Sequence, residues 1–195
     1  MIHESLKPSS QCARAAKKAN QVLGQMNRAF HYRDKATWIR LYKTYIRCHL
    51  EYAVQAWCPW TQADKNLLES VQKRAVKMVS GLEGRGYEER LKEVGLTTLE
   101  ARRERGDMIQ VWKILNGKED VNPETWFSLV GGKERETRIN DHQTTIIKPR
   151  CKHELRENFF SVRVCDRWNG LPGHVRESKN INIFKNEYDL SLIHI

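Results

Sequence analysis

Apolar side chains recur at helical spacing through the first 80 residues and predict three amphipathic helices. Ser9 or Ser10 is expected to cap the first helix, whose apolar stripe continues as far as Phe30. Asp34 is expected to cap the second, and Pro59 ends it because proline cannot donate the backbone hydrogen bond that a helix needs. Long helices joined by such short connections are expected to run antiparallel.

The third helix opens at Thr61, which together with Asp64 forms a pattern close to a capping box. It is expected to end near Gly81, because glycine readily adopts the backbone conformation that closes a helix. Three amphipathic helices in succession can bury their apolar stripes against one another. We therefore expect a three-helix bundle as a first domain, residues 1–82.

Shorter helices are expected in a second region, residues 83–189. A helix over Tyr87–Val94 should stop at Gly95. A capping box formed by Thr97 and Glu100 then opens a longer helix, which should end at the next asparagine-glycine pair. This second region is therefore expected to continue the helical character of the first.

The rest of the second region shows a mixed pattern. Residues 117–144 have weak periodicity and include a polar stretch typical of a solvated loop, while 144–147 are β-branched and fit a short strand or an extended arm. Helical spacing returns over 153–169 and over 181–188. The expected fold class is mainly α: an N-terminal three-helix bundle, then further short helices and an irregular loop region that includes the short strand or arm.

Positive charge is concentrated in the predicted bundle. The chain of 195 residues carries a formal charge of +10, and residues 1–80 hold 14 basic and 5 acidic side chains, a net of +9. Such a balance points to a polyanionic partner, most often nucleic acid. No apolar run approaches the roughly 20 residues that cross a bilayer, so no membrane partner is expected. The five scattered cysteines predict a reducing, intracellular compartment.

The basic residues of the bundle fall into helical stripes opposite the apolar faces. A face with a cation on every turn can follow a phosphate backbone and bind it without regard to sequence. The alternative is an ordinary solvated face, and the local charge favours the first interpretation slightly. The candidate nucleic-acid-binding residues are Lys17, Lys18, Arg40, Lys43, Arg47, Lys73, Arg74 and Lys77.

Aromatic side chains interleave with these cations and could stack on bases. Their helical spacing favours core packing for most of them, with Trp60, beside a proline at a helix end, the least determined. The set comprises Trp38, Tyr42, Tyr45, Tyr52, Trp57 and Trp60.

No catalytic or metal-binding constellation is predicted. The acidic pairs at 88–89 and 119–120 are explained by a helix start and a turn. A structural zinc site needs four ligands, generally in two close pairs, and Cys151, His153 and Cys165 with His142 lack that spacing. Cys165 fits a core face instead.

Several short blocks, taken in order, resemble the segment that follows the palm in reverse transcriptases of non-LTR (LINE-type, jockey-like) retrotransposons. The likeness spans about residues 3–189, nearly the whole chain, and depends on the order and spacing of blocks of which none is diagnostic alone. The blocks begin Lys7-Pro8-Ser9, Tyr42-Lys43-x-Tyr45, Trp57-Cys58-Pro59, Leu68-Glu69-Ser70, Tyr87-Glu88-Glu89, Gly95-Leu96-Thr97, Gly106-Asp107-Met108, Lys113-Ile114-Leu115 and Phe159-Phe160-Ser161.

The resemblance implies a thumb, which is a helical bundle that grips the template–primer duplex, followed by a connector. The catalytic palm would lie upstream, so the parent polymerase would use magnesium while this chain holds no cofactor. One departure is Cys48, where relatives commonly have proline after the arginine, so the kink expected there should be missing. The Cys/His cluster of some other LINE-type enzymes is not matched either.

The expected function is therefore that of a fragment of an RNA-directed DNA polymerase. Its partners would be an RNA–DNA hybrid and the remainder of the polymerase, and the nucleus suits the parent element. The alternative is a non-enzymatic helical protein-interaction module, or an inert remnant of a transposable element. Residues 190–195 resemble a translated sequencing adapter and are expected to be foreign to the protein.

Overall fold

The computed structural model describes residues 7–130 and 144–192, and it confirms a mainly α fold with an N-terminal helical bundle. The chain forms two compact units, Met1–Arg103 and Glu104–Ile195. This division falls later in the chain than residue 82, because Leu91 and Leu99 belong to the same hydrophobic core as the bundle. Among the described residues, no helix is both long and apolar enough to cross a membrane.

The first unit contains the three-helix bundle. Its elements are α1 (Ser9–Ala29), α2 (Lys35–Leu41), a π-helical turn (Tyr42–Ile46), α3 (Arg47–Glu51), α4 (Val54–Trp57), α5 (Gln62–Lys77) and α6 (Tyr87–Val94).

Side-chain hydrogen bonds fix the directions of the bundle helices. Ser9 Oγ donates to Asp64 Oδ2 over 2.7 Å, and Arg74 donates to Asn20 Oδ1 over 2.8 Å, so α1 and α5 run parallel. Trp38 Nε1 donates to the Ala75 carbonyl over 2.9 Å and the Tyr42 hydroxyl donates to Gln72 over 2.7 Å, so α2 runs antiparallel to α5. This is the up-down-up arrangement that short connections favour.

Two of the three caps predicted for the bundle helices are confirmed. The Asp34 carboxylate accepts from the Thr37 N–H at 2.9 Å, which lowers the pKa of Asp34, and the Thr61 hydroxyl accepts from the Asp64 N–H at 3.2 Å. The predicted serine cap of α1 is wrong. The helix starts after Pro8, and the Ser9 hydroxyl is used instead to reach α5.

The predicted second helix is interrupted by the π-helical turn. Four of its buried residues, Trp38, Tyr42, Ile46 and Leu50, are spaced by four. Because an α-helical turn has 3.6 residues, three such steps would rotate the stripe by about 120° in a regular α-helix. The wider turn accommodates the spacing and keeps all four residues in the core. It also turns Tyr45 outward, so the prediction that Tyr45 faces the core is wrong.

The same helix ends earlier than predicted, at Glu51, because Ala53 adopts a left-handed backbone conformation with φ 50° and ψ 31°. A side chain in that conformation costs roughly 1–2 kcal/mol. We expect Ala53→Gly to raise the free energy of unfolding by about 0.5–1 kcal/mol, since the strain outweighs the added freedom of the unfolded chain. Urea denaturation followed by circular dichroism measures this change.

The matched control is Ala56→Gly, in the exposed part of helix α4. There the same substitution should lower stability by about 0.5–1 kcal/mol, because glycine is a poor helix former. If both variants lose stability equally, Ala53 is not strained.

The next two helices begin and end close to the residues predicted from the sequence, but the residue that caps the second of them differs. Helix α6 covers the predicted residues and ends at Gly95, whose φ is 63°. Helix α7 (Leu99–Leu115) follows, and Thr98 rather than Thr97 caps it, accepting from the Ala101 N–H at 3.2 Å. Because α7 crosses the division between the units, its first residues belong to the bundle core and its later ones to the second core.

The second unit is built from the end of α7 and a series of short helices. They are α8 (Pro123–Trp126), α9 (Glu154–Glu157), α10 (Phe160–Arg163), α11 (Cys165–Asn169), α12 (Gly173–Arg176) and α13 (Ile181–Ser191). The last of them continues past the predicted end at Tyr188 and includes Leu190 and Ser191.

The single helix predicted over 153–169 is wrong. Phe159 adopts an extended conformation with ψ 144°, which separates α9 from α10. Leu155 and Phe159, placed on the inner face by the helical spacing, are exposed instead. Phe160, Val162 and Trp168 are buried in the core, because the break after α9 allows these three side chains to face inward together.

The short strand or arm predicted at 144–147 forms a single antiparallel bridge, between Ile146 and Leu129. The Asn169 side chain completes it by accepting from the Ile146 N–H at 2.9 Å and donating to the Ile146 carbonyl at 2.8 Å. Residues 131–143, with the predicted solvated loop and His142, lie outside the described residues, as do 193–195 of the predicted foreign tail.

Candidate nucleic-acid interface

The eight predicted cations lie on different sides of the bundle. Helices that share one core direct their outward faces in different directions, so residues opposite three apolar stripes cannot all share one surface. The exposed ones are Lys17, Lys18, Arg40, Lys43, Lys73, Arg74 and Lys77, whereas Arg47 is largely buried.

The structure brings three of them together along the neighbouring parallel helices α1 and α5. Arg74 is hydrogen-bonded to Asn20, and Lys17 lies one turn before Asn20 on the same side of α1. Lys77 follows Arg74 by three residues and is also exposed. This surface is the clearest assembly of cations in the bundle, and Lys18 lies at its edge.

Two further cations extend this surface and were missed in the sequence analysis. Arg14 and Arg28 are exposed and lie in helical register with Lys17, opposite the buried stripe of α1. The signal was available, because α1 contains basic residues and no acidic residue. We call the set of Arg14, Lys17, Arg28, Arg74 and Lys77 the α1–α5 face.

The carboxylates of α5 do not neutralise this face, because both point inward. Asp64 is buried and accepts from the hydroxyls of Ser9 and Thr61, at 2.7 and 2.8 Å. Glu69 accepts from the Tyr87 hydroxyl and from the Leu99 N–H at 3.0 Å. The positive charge of the α1–α5 face is therefore not neutralised by α5 and can attract an anion.

Arg40, on α2, and Lys43, on the π-helical turn that follows it, form a separate, smaller surface. With Lys35 and Val94 they line an open cavity of about 510 Å³. Glu93 lies beside it and binds Lys35 at 2.9 Å, so this surface carries both signs of charge. It is therefore a weaker attractor of a polyanion than the α1–α5 face.

Arg47 and Lys73 are engaged within the protein. Arg47 lies 3.6 Å from the carboxylate of Glu51, which also binds Arg102. Burial, and then the nearby Arg102, lowers the pKa of Arg47. Lys73 Nζ lies 5.2 Å from the centre of the Tyr87 ring, a cation–π contact. Arg47 therefore supports the packing of the first unit rather than an open binding surface, and Lys73, although exposed, is held against Tyr87.

A buried polar network joins the bundle to helix α6. Gln72 is fully buried, accepts from the Tyr42 hydroxyl at 2.7 Å, and donates to the Tyr87 hydroxyl and the Thr97 carbonyl. Burial raises the pKa of both Tyr42 and Tyr87, so both phenols stay protonated. The network fixes the register of α2, α5 and α6, and hence the direction in which the cations point.

The aromatic residues divide into core and surface. Trp38 and Tyr42 are buried as predicted, while Trp57 and Trp60 are partly buried. Tyr52 is 79 % exposed, so the prediction of core packing is wrong for it as well as for Tyr45.

One residue of each acidic pair has a structural partner. The Gly86 N–H donates to Glu89 at the start of α6, and Lys113 binds Glu119 at 2.9 Å, which lowers the pKa of Glu119. Over the described part of the chain, no three His, Cys, Asp or Glu side chains are grouped to hold a metal ion. Cys165 is buried in the second core and donates to the Ser161 carbonyl.

Comparison with known proteins adds no family assignment. No protein-family model matches the chain, and neither curated proteins nor solved structures give a significant match. The functional argument therefore depends on the surfaces of the molecule and on the chemistry that they offer.

Proposed function

We propose that this chain is the thumb and connector region of a LINE-type reverse transcriptase, and that its α1–α5 face binds the backbone of an RNA–DNA hybrid. The observation that carries the proposal is the row of five cations on two parallel helices whose carboxylates are either absent, as in α1, or turned inward, as in α5. Such a row suits a ligand with regularly spaced negative charge.

The length of the face fits a duplex. Arg14 and Arg28 are 14 residues apart on one helix, about 21 Å at 1.5 Å per residue. That distance corresponds to about six base pairs at 3.4 Å each. Cations that contact phosphates fix the position of a duplex without reading its sequence, which is what a polymerase thumb requires.

The chain would contribute binding and not chemistry. In this proposal the palm of the parent polymerase supplies the catalytic carboxylates and the magnesium ions, and the thumb holds the hybrid in place. The parent element would act in the nucleus. Arg40 and Lys43 remain a second candidate contact, because they too are exposed and adjacent on one helix.

Titration of the whole chain with a fluorescent RNA–DNA hybrid at several salt concentrations tests the proposal. Five phosphate contacts predict a slope of about −4.5 for the logarithm of the association constant against the logarithm of the salt concentration. Double-stranded DNA of equal length serves as the comparison duplex. Absence of salt-dependent binding to the hybrid contradicts the proposal and favours a protein-interaction module or an inert remnant.

A further inference from the structure

The second unit carries an exposed aromatic stack that the proposed duplex contact does not use. The rings of Trp126 and Phe159 are nearly parallel, with an interplanar angle of 5° and centroids 6.2 Å apart. At that separation parallel rings are offset, so part of each face stays uncovered. The Arg156 guanidinium lies 5.2 Å from the Phe159 ring centre. The Phe159 ring thus has Trp126 stacked on it and the Arg156 guanidinium over it, and the outer face of the guanidinium continues the stack.

The stack is both exposed and firmly held. Phe159 is 46 % exposed although it is a large apolar side chain, and Arg156 beside it is exposed as well. Trp126 is held by an edge contact to Phe160, which is buried in the second core. A rigid aromatic surface that reaches solvent loses little conformational entropy when a flat ligand binds.

A basic segment leads directly into this stack. Lys148, Arg150 and Lys152 occupy alternate positions between the bridge at Ile146 and helix α9, and all three are exposed. Lys148 binds Asp166 at 2.5 Å, whereas Arg150 and Lys152 form no ion pair with the residues that the structure describes. Four residues of chain hold Lys152 within about 14 Å of Arg156.

We propose that this surface, the Trp126–Phe159–Arg156 stack with the basic segment, binds single-stranded nucleic acid. An unpaired base would stack on the outer face of the Arg156 guanidinium and on the uncovered part of the Phe159 ring, while Arg150 and Lys152 contact the neighbouring phosphates. Planar aromatic and guanidinium surfaces beside cations are the general chemistry of single-strand binding. A duplex does not offer this contact, because neighbouring base pairs cover the faces of its bases.

Charge complementarity favours nucleic acid over a protein ligand. An apolar protein segment would bury apolar surface against Phe159 and the exposed Leu155, but its binding would not need three cations within one short segment. The carboxylates of Glu154 and Glu157 lie on α9 and reduce the positive charge without cancelling it. The proposal is independent of the duplex contact in the first unit, because it concerns another ligand and other residues.

The test compares two probes on the whole chain by fluorescence anisotropy: a single-stranded oligonucleotide, and an abasic oligomer of equal length and charge. The cations of the first unit bind both probes equally, so the ratio of affinities reports base stacking alone. We expect the oligonucleotide to bind about five- to 100-fold more tightly than the abasic oligomer. Phe159→Leu should abolish this ratio.

Arg156→Lys is the second variant, because it keeps the charge, removes the guanidinium plane and replaces an exposed side chain that does not support the core. It should reduce the ratio without changing the salt slope. Tyr32→Leu, at a residue that is 79 % exposed in the first unit, is the control and should leave the ratio unchanged. Equal affinity for the two probes, or an unchanged ratio in both stack variants, overturns the proposal. Equal affinity would instead favour a protein partner for Phe159.

Discussion

Reversal of three charges on the α1–α5 face, in the combined variant Lys17→Glu, Arg74→Glu and Lys77→Glu, is expected to weaken hybrid binding by about 50-fold or more. Each residue is exposed, so the substitutions leave the core intact. Loss of three phosphate contacts should also make the salt slope shallower by about 2.7. Titration at four or more salt concentrations measures both quantities, and circular dichroism verifies the fold.

A control with the same net charge separates the face from the overall charge. Arg40→Glu, Lys43→Glu and Lys92→Glu change exposed cations on α2, on the π-helical turn and on α6. Because exposed charges farther apart than about 8 Å are largely screened at physiological salt, this control should keep most of its affinity. If it loses as much affinity as the first variant, net charge is decisive. If only the control variant loses affinity, the hybrid contacts the surface formed by Arg40 and Lys43.

Asp107→Ala is expected to lower the free energy of unfolding of the second unit by about 3–5 kcal/mol. Arg163 binds both oxygens of Asp107, with its Nε 3.0 Å and its Nη2 3.1 Å away, and the two side chains are only 16 % and 8 % exposed. Removing the carboxylate takes from the largely buried Arg163 guanidinium the two charge-assisted hydrogen bonds that Asp107 accepts. Urea unfolding followed by tryptophan fluorescence measures the loss.

Asp189→Ala provides the matched control, because it also removes an aspartate bound by both nitrogens of an arginine, Arg105. That pair is exposed, so its loss should cost no more than about 1 kcal/mol. The double variant Asp107→Leu with Arg163→Met should recover much of the stability, since an apolar pair replaces a buried ion pair without leaving a lone charge. An equal loss in both aspartate variants would show that burial does not matter at Asp107.

Several structural features that depend only on neighbouring residues were predicted correctly from the sequence. Helix α6 and its end at Gly95 follow from local backbone preferences, as do the caps at Asp34 and Thr61. Such features need only contacts within one helical turn, so the order of residues is sufficient. The breaks at Ala53 and Phe159 were missed, because the apolar spacing continues across both positions.

The candidate site shows the same division between local and distant causes. Sequence spacing identified Lys17, Arg74 and Lys77 as basic residues opposite apolar stripes, and all three are exposed. It also selected Arg47, which lies against Glu51. The Glu51 carboxylate also binds Arg102, which is 51 residues further along the chain than Glu51. The base-stacking surface could not be predicted, since Trp126 and Phe159 meet only in the folded second unit.

The sequence by itself determined that this protein is mainly helical, that its first bundle is basic, and where most of its long helices begin. These properties depend on composition and on contacts between near neighbours. Only the tertiary structure decided which cations share a surface, because the relative rotation of helices is set by how their buried residues interlock. The π-helical turn, the Gln72 network and the inward carboxylates of α5 fix that rotation. As a result, the α1–α5 face is an open basic surface of the bundle.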